Sequence, residues 1–328
     1  MENSLISIVI VNWNHADCLH ACLNSINNQT YQNYELIIID NNSQDNSMNE
    51  TVSLVKNIKI KKLEVNVGFS KAFNLGLALC NGDFILSLNP DVTLDEHFLD
   101  RIVEKITSDQ IIGIVSPKLL RADDKQKLDS TGLFLDFLRK PFDRGQGEID
   151  TGKYDSKESV FGSCGAATLY SKKLVEDLKI DGEFLDEDFF AYYDDADIAW
   201  RANIYGWKSV FAPEAVATHI RGWGDTLFKS GNNKKGLNGP KMALRNRYLM
   251  MIKNDNLVEL LPILPILVIH DFVKIIFMLF FNPRALFGLI DLINLFPVAL
   301  KKRKIIQKRR RKSNFRLRSF FNRKEFLY

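Results

Sequence analysis

Short apolar runs alternate with amphipathic stretches through the first 120 residues. Five runs have the length and composition of buried strands: residues 5–11, 35–40, 58–63, 84–88 and 111–115. Four stretches between them carry apolar side chains at helical spacing: residues 17–27, 47–56, 69–79 and 95–106. Repeated alternation of strand and helix predicts an α/β fold, in which helices flank both faces of a mostly parallel, twisted sheet.

Three of the predicted strands run directly into polar residues. These strand-end residues are Asn12, Asn14, Asp40, Asn41, Asn42, Asn89 and Asp91. In open α/β sheets the ligand crevice lies outside the carboxyl ends of the strands. The sequence therefore predicts a polar ligand at this edge of the sheet.

The rest of the chain changes character twice. Residues 121–158 are rich in Asp, Lys and Gly, and we expect a loop-rich connection there. Sheet and helix signals then return as a strand at 160–170, a helix at 188–205 and short strands at 209–211 and 216–219. Residues 257–300 are dominated by Leu, Ile, Phe and Pro. The composition predicts one domain over residues 1–250 and an apolar helical extension over residues 251–328.

Charge is unevenly distributed along the chain. The formal net charge is +4, yet residues 301–328 hold thirteen Lys and Arg against one acid, which leaves 31 basic and 39 acidic residues before them. An acidic body argues against a nucleic-acid-binding protein, whose basic residues normally line the folded binding face. A basic end is more typical of a segment that approaches anionic lipid headgroups.

Neither the N-terminus nor the cysteines indicate export. No basic segment precedes the first apolar run, and no small-residue cleavage site follows it. The four cysteines include no Cys-x-x-Cys pair, so neither a disulfide framework nor a zinc site is indicated. We therefore expect a cytoplasmic protein.

The first candidate for chemistry is Asp40, which follows an apolar strand and precedes Asn41, Asn42 and Ser43. A carboxylate at a strand end can accept hydrogen bonds from a base or a ribose, and the Asn and Ser side chains favour the turn that orients it. Taken alone, a polar turn that opens the next helix is a somewhat more common explanation.

The second candidate is Asp91 in the sequence Leu-Asn-Pro-Asp, directly after a buried strand. Carboxylates on a rigid strand end can hold Mg²⁺ or Mn²⁺ and leave coordination positions for phosphate oxygens. Asn-Pro-Asp is also frequent turn chemistry. The motif alone supports the two interpretations equally.

The third candidate is a group of three acids, Asp194, Asp195 and Asp197, at the start of a predicted helix. Acids in a first turn are favoured by the helix dipole, but three repel one another. Asp197 and Arg201 have i,i+4 spacing and are expected to form a structural pair. Asp194 and Asp195 remain available to face the crevice, where a carboxylate can act as a general base toward a hydroxyl.

The fourth candidate is His219, at the end of a short predicted strand. A lone histidine is more often structural than a metal ligand. A carboxylate candidate such as Asp91 elsewhere in the chain makes a neutral imidazole a credible second ligand.

Five motifs in this order resemble the family 2 glycosyltransferases of the GT-A fold. They are Ile-Val-Ile-Val-Asn-Trp-Asn at 8–14, Asp-Asn-Asn-Ser at 40–43, Asn-Val-Gly-Phe at 66–69, Leu-Asn-Pro-Asp at 88–91 and Tyr-Asp-Asp-Ala-Asp at 193–197. The resemblance covers about residues 5–250 and is strongest to the rhamnosyltransferase-like and galactofuranosyltransferase-like branch, which builds bacterial surface polysaccharides. Five ordered motifs are far more specific than any one of them.

The resemblance implies a role for each matching residue. Asp40 would contact the nucleoside of the donor, and the remaining donor-binding residues would be Asn12, Asn42, Asn66, Gly68, Phe69 and Asn89. Asp91 would bind Mg²⁺ or Mn²⁺ with His219 as a further ligand. Asp195 would be the catalytic base, with Asp194 beside it. Position 89 is Asn where the wider superfamily has Asp, which leaves Asp91 with more of the metal binding.

The implied reaction is a single displacement with inversion, from a nucleotide diphosphate sugar to a hydroxyl of a saccharide or lipid-linked acceptor. L-Rhamnose from dTDP-rhamnose is the expected donor. Because Asp195 would accept the proton late, an ordinary aspartate pKa of about 3.9 would suffice. The alternatives are a non-catalytic nucleotide-sugar-binding protein and a dinucleotide-dependent oxidoreductase, although no Gly-x-Gly-x-x-Gly follows a predicted strand.

The apolar C-terminal segment is expected to lie on a membrane. Residues 260–270 contain no acid, Lys or Arg, but a spanning helix needs about 20 apolar residues. Lys274, Pro283, Arg284 and Asp291 interrupt the segments that follow, so we expect helices in the interface, peripheral on the cytoplasmic face of the plasma membrane. The alternative is an apolar arm that forms a homodimer and ends in a solvated basic tail.

Overall fold

The structure is a computed structural model that describes residues 4–48, 58–221 and 239–311, together with residue 320. Twelve strands lie in these residues: β1 (Ile6–Asn12), β2 (Tyr34–Asp40), β3 (Ile58–Lys62), β4 (Phe84–Leu88), β5 (Val92–Leu94), β6 (Ile112–Arg121), β7 (Leu128–Ser130), β8 (Leu133–Leu135), β9 (Pro141–Asp143), β10 (Ser159–Val160), β11 (Ala167–Ser171) and β12 (Lys208–His219).

Nine α-helices lie in the same described ranges: α1 (Ala16–Asn27), α2 (Phe69–Leu77), α3 (Phe98–Thr107), α4 (Lys172–Leu178), α5 (Asp194–Tyr205), α6 (Gly239–Asn254), α7 (Leu257–Leu260), α8 (Leu264–Phe281) and α9 (Phe287–Lys308). Helix α6 contains residue 250, at which the sequence suggested a domain boundary.

Ten of the described strands form one sheet, in the order β10-β12-β6-β11-β4-β1-β2-β3, with β5 on β12 and β7 on β6. Six strands, β1, β2, β3, β4, β6 and β12, point the same way, while β11 runs antiparallel between β4 and β6. Strands β8 and β9 form a separate hairpin. The predicted α/β class with a mostly parallel sheet is confirmed.

Strand β1 illustrates why the sheet carries helices on both faces. Its side chains alternate, so Val9 packs into one hydrophobic core and Ile8 and Ile10 pack into the other. Helix α2 covers the first face, while α1 and α3 cover the second. Each fully buried aliphatic side chain contributes about 1.5–3 kcal/mol, so a continuous apolar run fits a strand that is covered on both sides.

The parallel register brings the strand ends together. Strands β1 and β2 pair from Ile6 opposite Tyr34 to Asn12 opposite Asp40, and β4 lies on the other side of β1. The polar residues that follow these strands therefore share the carboxyl edge of the sheet, as the sequence indicated.

Two predictions for the middle of the chain differ from the structure. The expected loop-rich connection at residues 121–158 contains β7, β8 and β9. The two short strands expected at 209–211 and 216–219 are parts of one strand, β12, whose register shifts between Ala212 and Val216. Pro213 lies in that shift, where the absence of its N–H disturbs no regular pairing.

The helix expected at residues 188–205 begins later, at Asp194. Phe190, Tyr192 and Tyr193 have φ values of 64°, 70° and 69°, which no right-handed helix accommodates. The residues before Asp194 therefore form a strained turn. Most of the helix predicted at 47–56 lies outside the described residues.

The C-terminal helices are longer than the sequence suggested. Two segments, Leu261–Phe281 and Pro283–Lys308, are long and apolar enough to cross a membrane by length and composition alone. Lys274 does not interrupt α8, and Pro297 lies inside α9. The breaks expected at Lys274 and Asp291 do not occur, because these residues lie inside α8 and α9. The break expected at Pro283 and Arg284 does occur, since α8 ends at Phe281 and α9 begins at Phe287.

Candidate active site

Asn12 and Asp40 lie side by side at the ends of β1 and β2. Asn12 Nδ2 donates to Ser43 Oγ at 3.1 Å, and Asp40 Oδ1 accepts from the Ser43 N–H at 3.2 Å. Asn12 Oδ1 and Asp40 Oδ2 are buried and have no hydrogen-bond partner within the described part of the chain. A buried polar atom left unpaired costs about 1–3 kcal/mol, so these two oxygens suit a ligand that donates hydrogen bonds.

Asn66 shapes the loop beside this pair. Its Oδ1 accepts from Asn41 Nδ2 at 3.0 Å and from the Gly68 N–H at 2.9 Å. Asn42 has a φ of 64°, and its Oδ1 accepts from Gln44 Nε2 at 3.0 Å. Of these two predicted donor-binding residues, Asn66 holds the backbone at Gly68 through its side chain, whereas the Asn42 side chain contacts that of Gln44.

Gly68 connects this loop to the turn that precedes Asp194. Its φ is +85°, and a Cβ there would lie 2.6 Å from the Phe190 carbonyl oxygen. The Ser70 N–H donates to the same oxygen at 3.2 Å. The ring of Phe69 stacks on Phe73 with centroids 5.9 Å apart, so it packs toward the core. Only glycine permits the close approach of the two segments.

Asp91 and His219 meet where β5 pairs with β12. Val92 lies opposite His219, and the Asp91 carbonyl accepts from the Ile220 N–H at 3.0 Å. His219 Nε2 lies 3.6 Å from Asp91 Oδ1, which is buried and has no hydrogen-bond partner among the described residues. The two predicted metal ligands are therefore neighbours, although no cluster of three or more His, Cys, Asp or Glu suited to a metal occurs in the described ranges.

A third residue, Asp129, orients the imidazole. Asp129 on β7 is fully buried, and its Oδ2 lies 2.8 Å from His219 Nδ1. Because this contact places the Nδ1 proton between them, Nε2 is the nitrogen that faces Asp91. Burial opposes a charged ring, but the carboxylates of Asp129 and Asp91 raise the pKa of His219 to about 9. A cation bound at Nε2 would have to displace the proton that this raised pKa keeps on Nε2.

Arg221 extends the same network toward the paired acids. Its guanidinium contacts Asp129 Oδ1 at 2.7 Å and Asp143 Oδ2 at 2.8 Å. Burial raises the pKa of Asp143, whose Oδ1 has no hydrogen-bond partner in the described part of the chain. Asp129 and Asp143 were missed in the sequence because they lie in the segment 121–158, which looked like an irregular connection. Arg221 follows His219 by two residues, and no local pattern marks it as a partner of these acids.

Asp195 is fixed by a loop that also touches the end of β4. Its Oδ2 accepts from the Gly165 N–H at 3.2 Å, and its Oδ1 accepts from the Ala196 N–H at 2.7 Å. The next residue, Ala166, accepts from the Asn89 N–H at 2.8 Å. Asn89 is therefore held through its backbone, and one loop joins Asp195 to the strand end that carries Asp91.

The two paired acids are electrostatically unlike ordinary aspartates. Burial raises the pKa of both Asp194 and Asp195, the Asp195 charge adds to the shift of Asp194, and Asp143 adds to that of Asp195. An ordinary aspartate pKa would suffice for the expected reaction, but the pKa of Asp195 lies above it. The structural pair of Asp197 and Arg201 is confirmed, with Nε and Oδ2 at 2.9 Å and both side chains buried.

The turn before Asp194 depends on α6. Asn246 is fully buried, and its Nδ2 donates to the carbonyl oxygens of Phe189, Ala191 and Tyr192 at 2.9, 2.8 and 2.9 Å. Arg245 Nη2 adds contacts to the carbonyls of Asp188 and Phe189, each at 2.9 Å. Nothing local in the sequence signals this clamp, because its two sides are more than fifty residues apart.

The first half of the chain carries the sequence pattern of one protein family. The sequence model of the family described as "Glycosyl transferase family 2" matches residues 7–179, more than half of the chain. The protein belongs to this family. The matched range contains the predicted donor-binding residues and Asp91, and it ends before Asp195 and His219.

A named relative supports the assignment over part of the chain. Poly(ribitol-phosphate) beta-N-acetylglucosaminyltransferase TarP of Staphylococcus aureus (strain N315) is 33% identical over 118 residues, which cover 33% of this chain and 36% of the relative. The matches span little more than a third of the length of the first curated relatives.

Solved structures support the fold. The crystal structure of GalNAc-T7 with UDP, GalNAc and Mn²⁺ aligns with a TM-score of 0.59 and 16% identity, covering 76% of this chain and 48% of the other. Mannosyltransferase PcManGT from Pyrobaculum calidifontis, in complex with GDP-Man and Mn²⁺, aligns with a TM-score of 0.55 and 16% identity, covering 93% and 74%. At such identities the likeness concerns the fold alone.

Proposed function

We propose that the protein is an inverting, divalent-cation-dependent glycosyltransferase that moves a sugar from a nucleotide diphosphate donor to a hydroxyl of a saccharide or lipid-linked acceptor in surface polysaccharide synthesis. The donor proposed is dTDP-rhamnose, from the likeness of the sequence motifs to the rhamnosyltransferase-like branch. The observation that carries the proposal is the loop at residues 163–166, which links Asp195 to the strand end of Asn89 and Asp91.

The residues present fit a divalent cation. Asp91 Oδ1 is a buried oxygen without a hydrogen-bond partner in the described ranges, and His219 Nε2 faces it. Asp91 and His219 would hold Mg²⁺ or Mn²⁺, with Asp129 orienting the imidazole. The cation would supply positive charge to the departing nucleoside diphosphate.

The chain's own groups account for the remaining chemistry. Asp40 and Asn12 present acceptor oxygens to the donor's nucleoside, while Asn66 and Gly68 fix the loop beside them. Asp195 accepts the proton of the acceptor hydroxyl as its oxygen forms a bond to the anomeric carbon. The bond from that carbon to the nucleoside diphosphate breaks on the opposite face, which inverts the configuration. The raised pKa of Asp195 makes its carboxylate a stronger base than an exposed aspartate.

Thermal stabilisation by a panel of nucleotide sugars tests the donor assignment. With Mn²⁺ or Mg²⁺ present, we expect at least one donor, dTDP-rhamnose first, to raise the Tm by a few degrees at saturation. EDTA and the Asp91→Ala substitution should each abolish the shift. If no nucleotide sugar stabilises the protein, the donor assignment fails. Stabilisation without transfer to any membrane-extracted acceptor would favour the non-catalytic alternative.

The exposed surfaces of α8 and α9 support attachment to a membrane. Their polar residues face the protein: Asp271 contacts Arg247 at 3.0 Å, and Asp291 contacts Lys241 at 2.8 Å. Their large apolar residues face outward: Ile266, Val268, Ile269, Phe272, Val273, Phe277, Leu279, Phe280, Phe281, Phe287, Ile290 and Ile293 are all more than half exposed. An apolar surface of this extent normally contacts a membrane or another protein.

Within residues 301–311, part of the basic charge is already paired inside the protein. Lys302 is buried against three acids, and Arg303 and Arg309 donate to backbone carbonyls. Lys301 and Lys304 are exposed. Each such lysine adds about 1 kcal/mol of attraction near an anionic surface. We propose that α8 and α9 lie on the cytoplasmic face of the membrane, with their polar sides turned toward the rest of the protein.

Liposome flotation tests this arrangement. We expect the protein to float with vesicles, and the Ile269→Asp and Phe272→Asp substitutions together to abolish flotation, because both side chains are about two-thirds exposed on α8. Val65→Asp is the matched control, since Val65 is equally exposed away from these helices. A homodimer that the α8 double variant dissociates, with flotation unchanged, would favour the dimerisation arm.

A further inference from the structure

A group of basic side chains lies between α8 and the β8–β9 hairpin, apart from the donor crevice. We define the basic cluster as Lys140, Arg247, His270 and Lys274, together with Asp271. Lys140 Nζ lies 2.9 Å from His270 Nε2, and His270 Nδ1 lies 2.8 Å from Asp271 Oδ1. His270 and Lys274 have i,i+4 spacing on α8, so they face the same side of the helix.

The cluster holds more positive charge than its acids neutralise. Asp271 already accepts from both Arg247 at 3.0 Å and the Tyr248 hydroxyl at 2.8 Å. Within the described ranges, no carboxylate lies at ion-pair distance from the ammonium group of Lys140 or Lys274. The nearby Asp136 is engaged by the backbone N–H of Lys140.

The positive charge of Lys274 is the least favourable in the basic cluster. Its partial burial, and then the charges of Arg247 and Lys140, lower its pKa to about 8. Burial likewise lowers the pKa of Lys140, with Arg247 adding to the effect. Partly buried ammonium groups that repel one another would be stabilised by an anion placed between them. The compact ammonium of lysine is a common ligand of phosphate.

The surroundings indicate that the anion carries an apolar chain. The outward faces of α8 expose Ile269, Phe272 and Val273 directly beside His270 and Lys274, and Phe137 is half exposed in the turn that leads to Lys140. A ligand at the cluster would therefore have a charged group against the lysines and an apolar part along α8. Lipid phosphates combine these two properties.

The cluster also borders the base of the proposed reaction. Tyr193, the residue before Asp194, is buried where the charges of Arg247, Asp271 and Asp195 all act on its hydroxyl. Burial raises the pKa of that hydroxyl, so Tyr193 stays neutral between the cluster and Asp195. Arg247 of the cluster also follows Asn246, whose amide donates to the carbonyls of Ala191 and Tyr192, so the cluster adjoins the turn that precedes Asp194.

We propose that Lys140 and Lys274 bind the phosphate group of a lipid, and that this lipid is the acceptor whose hydroxyl is presented to Asp195. The proposal rests on the proposed function, because it names the acceptor class of the same site. The phosphate could also be supplied by a bilayer phospholipid, and the two sources are separated below.

Isothermal titration calorimetry of the full chain in detergent, with farnesyl diphosphate in EDTA, tests the phosphate site. EDTA prevents a divalent cation from capturing the diphosphate in the donor crevice. We expect Lys274→Met and Lys140→Met each to weaken binding by about tenfold, because each removes a charge-assisted contact. Lys274→Arg should restore most of the affinity, and Lys173→Met, an exposed lysine on α4, should bind like the unmodified protein.

Several outcomes decide the matter. Farnesol should bind equally weakly to all variants, since it lacks the phosphates. Equal binding of farnesyl diphosphate to the unmodified protein, Lys274→Met and Lys140→Met would overturn the site. If one variant fails to fold, as judged by circular dichroism, the other carries the test. Asp91→Ala should keep full binding, so a failure of donor binding or transfer leaves this result intact.

Vesicles distinguish the source of the phosphate. We expect Lys274→Met to bind phosphatidylcholine vesicles with and without phosphatidylglycerol as the unmodified protein does, while losing farnesyl diphosphate. Loss of the phosphatidylglycerol-dependent binding, with farnesyl diphosphate binding unchanged, would assign the phosphate to the bilayer and overturn the acceptor assignment.

Discussion

Two sets of buried carboxylates lie within twelve residues of each other and have opposite environments. Asp197 contacts Lys253 at 3.0 Å and Asn254 at 2.6 Å in addition to Arg201. Asp186 contacts Lys302 at 2.6 Å and also Lys253, and despite burial these lysines hold its pKa far below the usual range. In contrast, the hydrogen bonds that Asp195 accepts from the described residues come from backbone N–H groups, and burial raises its pKa.

The comparison shows that one residue type, a buried aspartate, can have two different roles. Asp186 and Asp197 are charged because buried cationic side chains pair with them. These pairs attach α6 and α9 to the rest of the protein. Within the described ranges no cation pairs with the buried Asp194 or Asp195, which is unfavourable for stability and useful for proton transfer. Cation partners, more than position along the helix, separate the structural acids from the proposed catalytic ones.

The largest expected effect is on turnover. We expect Asp195→Asn to lower the transfer rate by about 10³-fold, within the usual range for loss of a general base. Donor affinity should be retained, and the free energy of unfolding should not fall, because a buried charge is removed. Initial rates at saturating donor, with donor titration, check this. An Asp195→Asn protein with more than a tenth of the original rate would remove Asp195 as the base.

The next effect is on stability. Asp197→Asn should lower the free energy of unfolding by about 3–5 kcal/mol, because Arg201 and Lys253 lose their buried partner. Asp194→Asn is the matched control, since it removes a buried carboxylate of the same helix turn and should cause no such loss. Denaturant unfolding of both variants checks the contrast. Equal destabilisation would mean that the two sets of acids do not differ as described.

A smaller effect concerns Asp129, which contacts the proposed metal ligand His219. Asp129→Asn should weaken Mn²⁺-dependent donor binding by about 10–100-fold, because His219 loses the group that orients it. Asp123→Asn, an exposed acid nearby, is the control and should leave binding unchanged. Donor titrations at several Mn²⁺ concentrations measure the difference. Unchanged Mn²⁺ dependence in the Asp129 variant would argue against His219 as a ligand.

The smallest effect is on pH dependence. With its pKa raised to about 6, Asp195 is the active base only when deprotonated, so kcat/KM should fall about tenfold per unit as the pH drops below 6. Because the folded state holds this proton more tightly than the unfolded chain, the same group adds stability as the pH falls from neutrality toward 4. A pH–rate profile checks the first statement. An acid limb near pH 4 would indicate a solvated carboxylate.

The sequence predicted the parallel half of the fold and the meeting of polar strand ends at one edge of the sheet, because that information is local. Continuous apolar runs produce strands buried on both faces, and Asn12, Asp40 and Asp91 follow those strands directly. The pairing of Asp91 with His219 required only that β5 and β12 share an edge.

The missed features depend on contacts between distant residues. The strained turn at Phe190 and Tyr193 has no local signature, since the amide of Asn246 stabilises it from α6. The acids of residues 121–158 resembled a solvated connection, yet Asp129 is buried because His219 and Arg221 pair with it. In the sequence, the polar residues of α8 and α9 looked like breaks in an apolar segment. Their partners on α6 show that they form the polar sides of continuous helices.

The contacts of Asn246 have a consequence for reading relationships between proteins. One amide group sets the peptide planes that aim the proposed base, and it belongs to a helix that begins 60 residues after the end of the matched family range. A relative can therefore match this protein over residues 7–179 while a different segment holds the residue that corresponds to Asp195. Likeness over the first half of the sequence transfers donor geometry more safely than acceptor geometry.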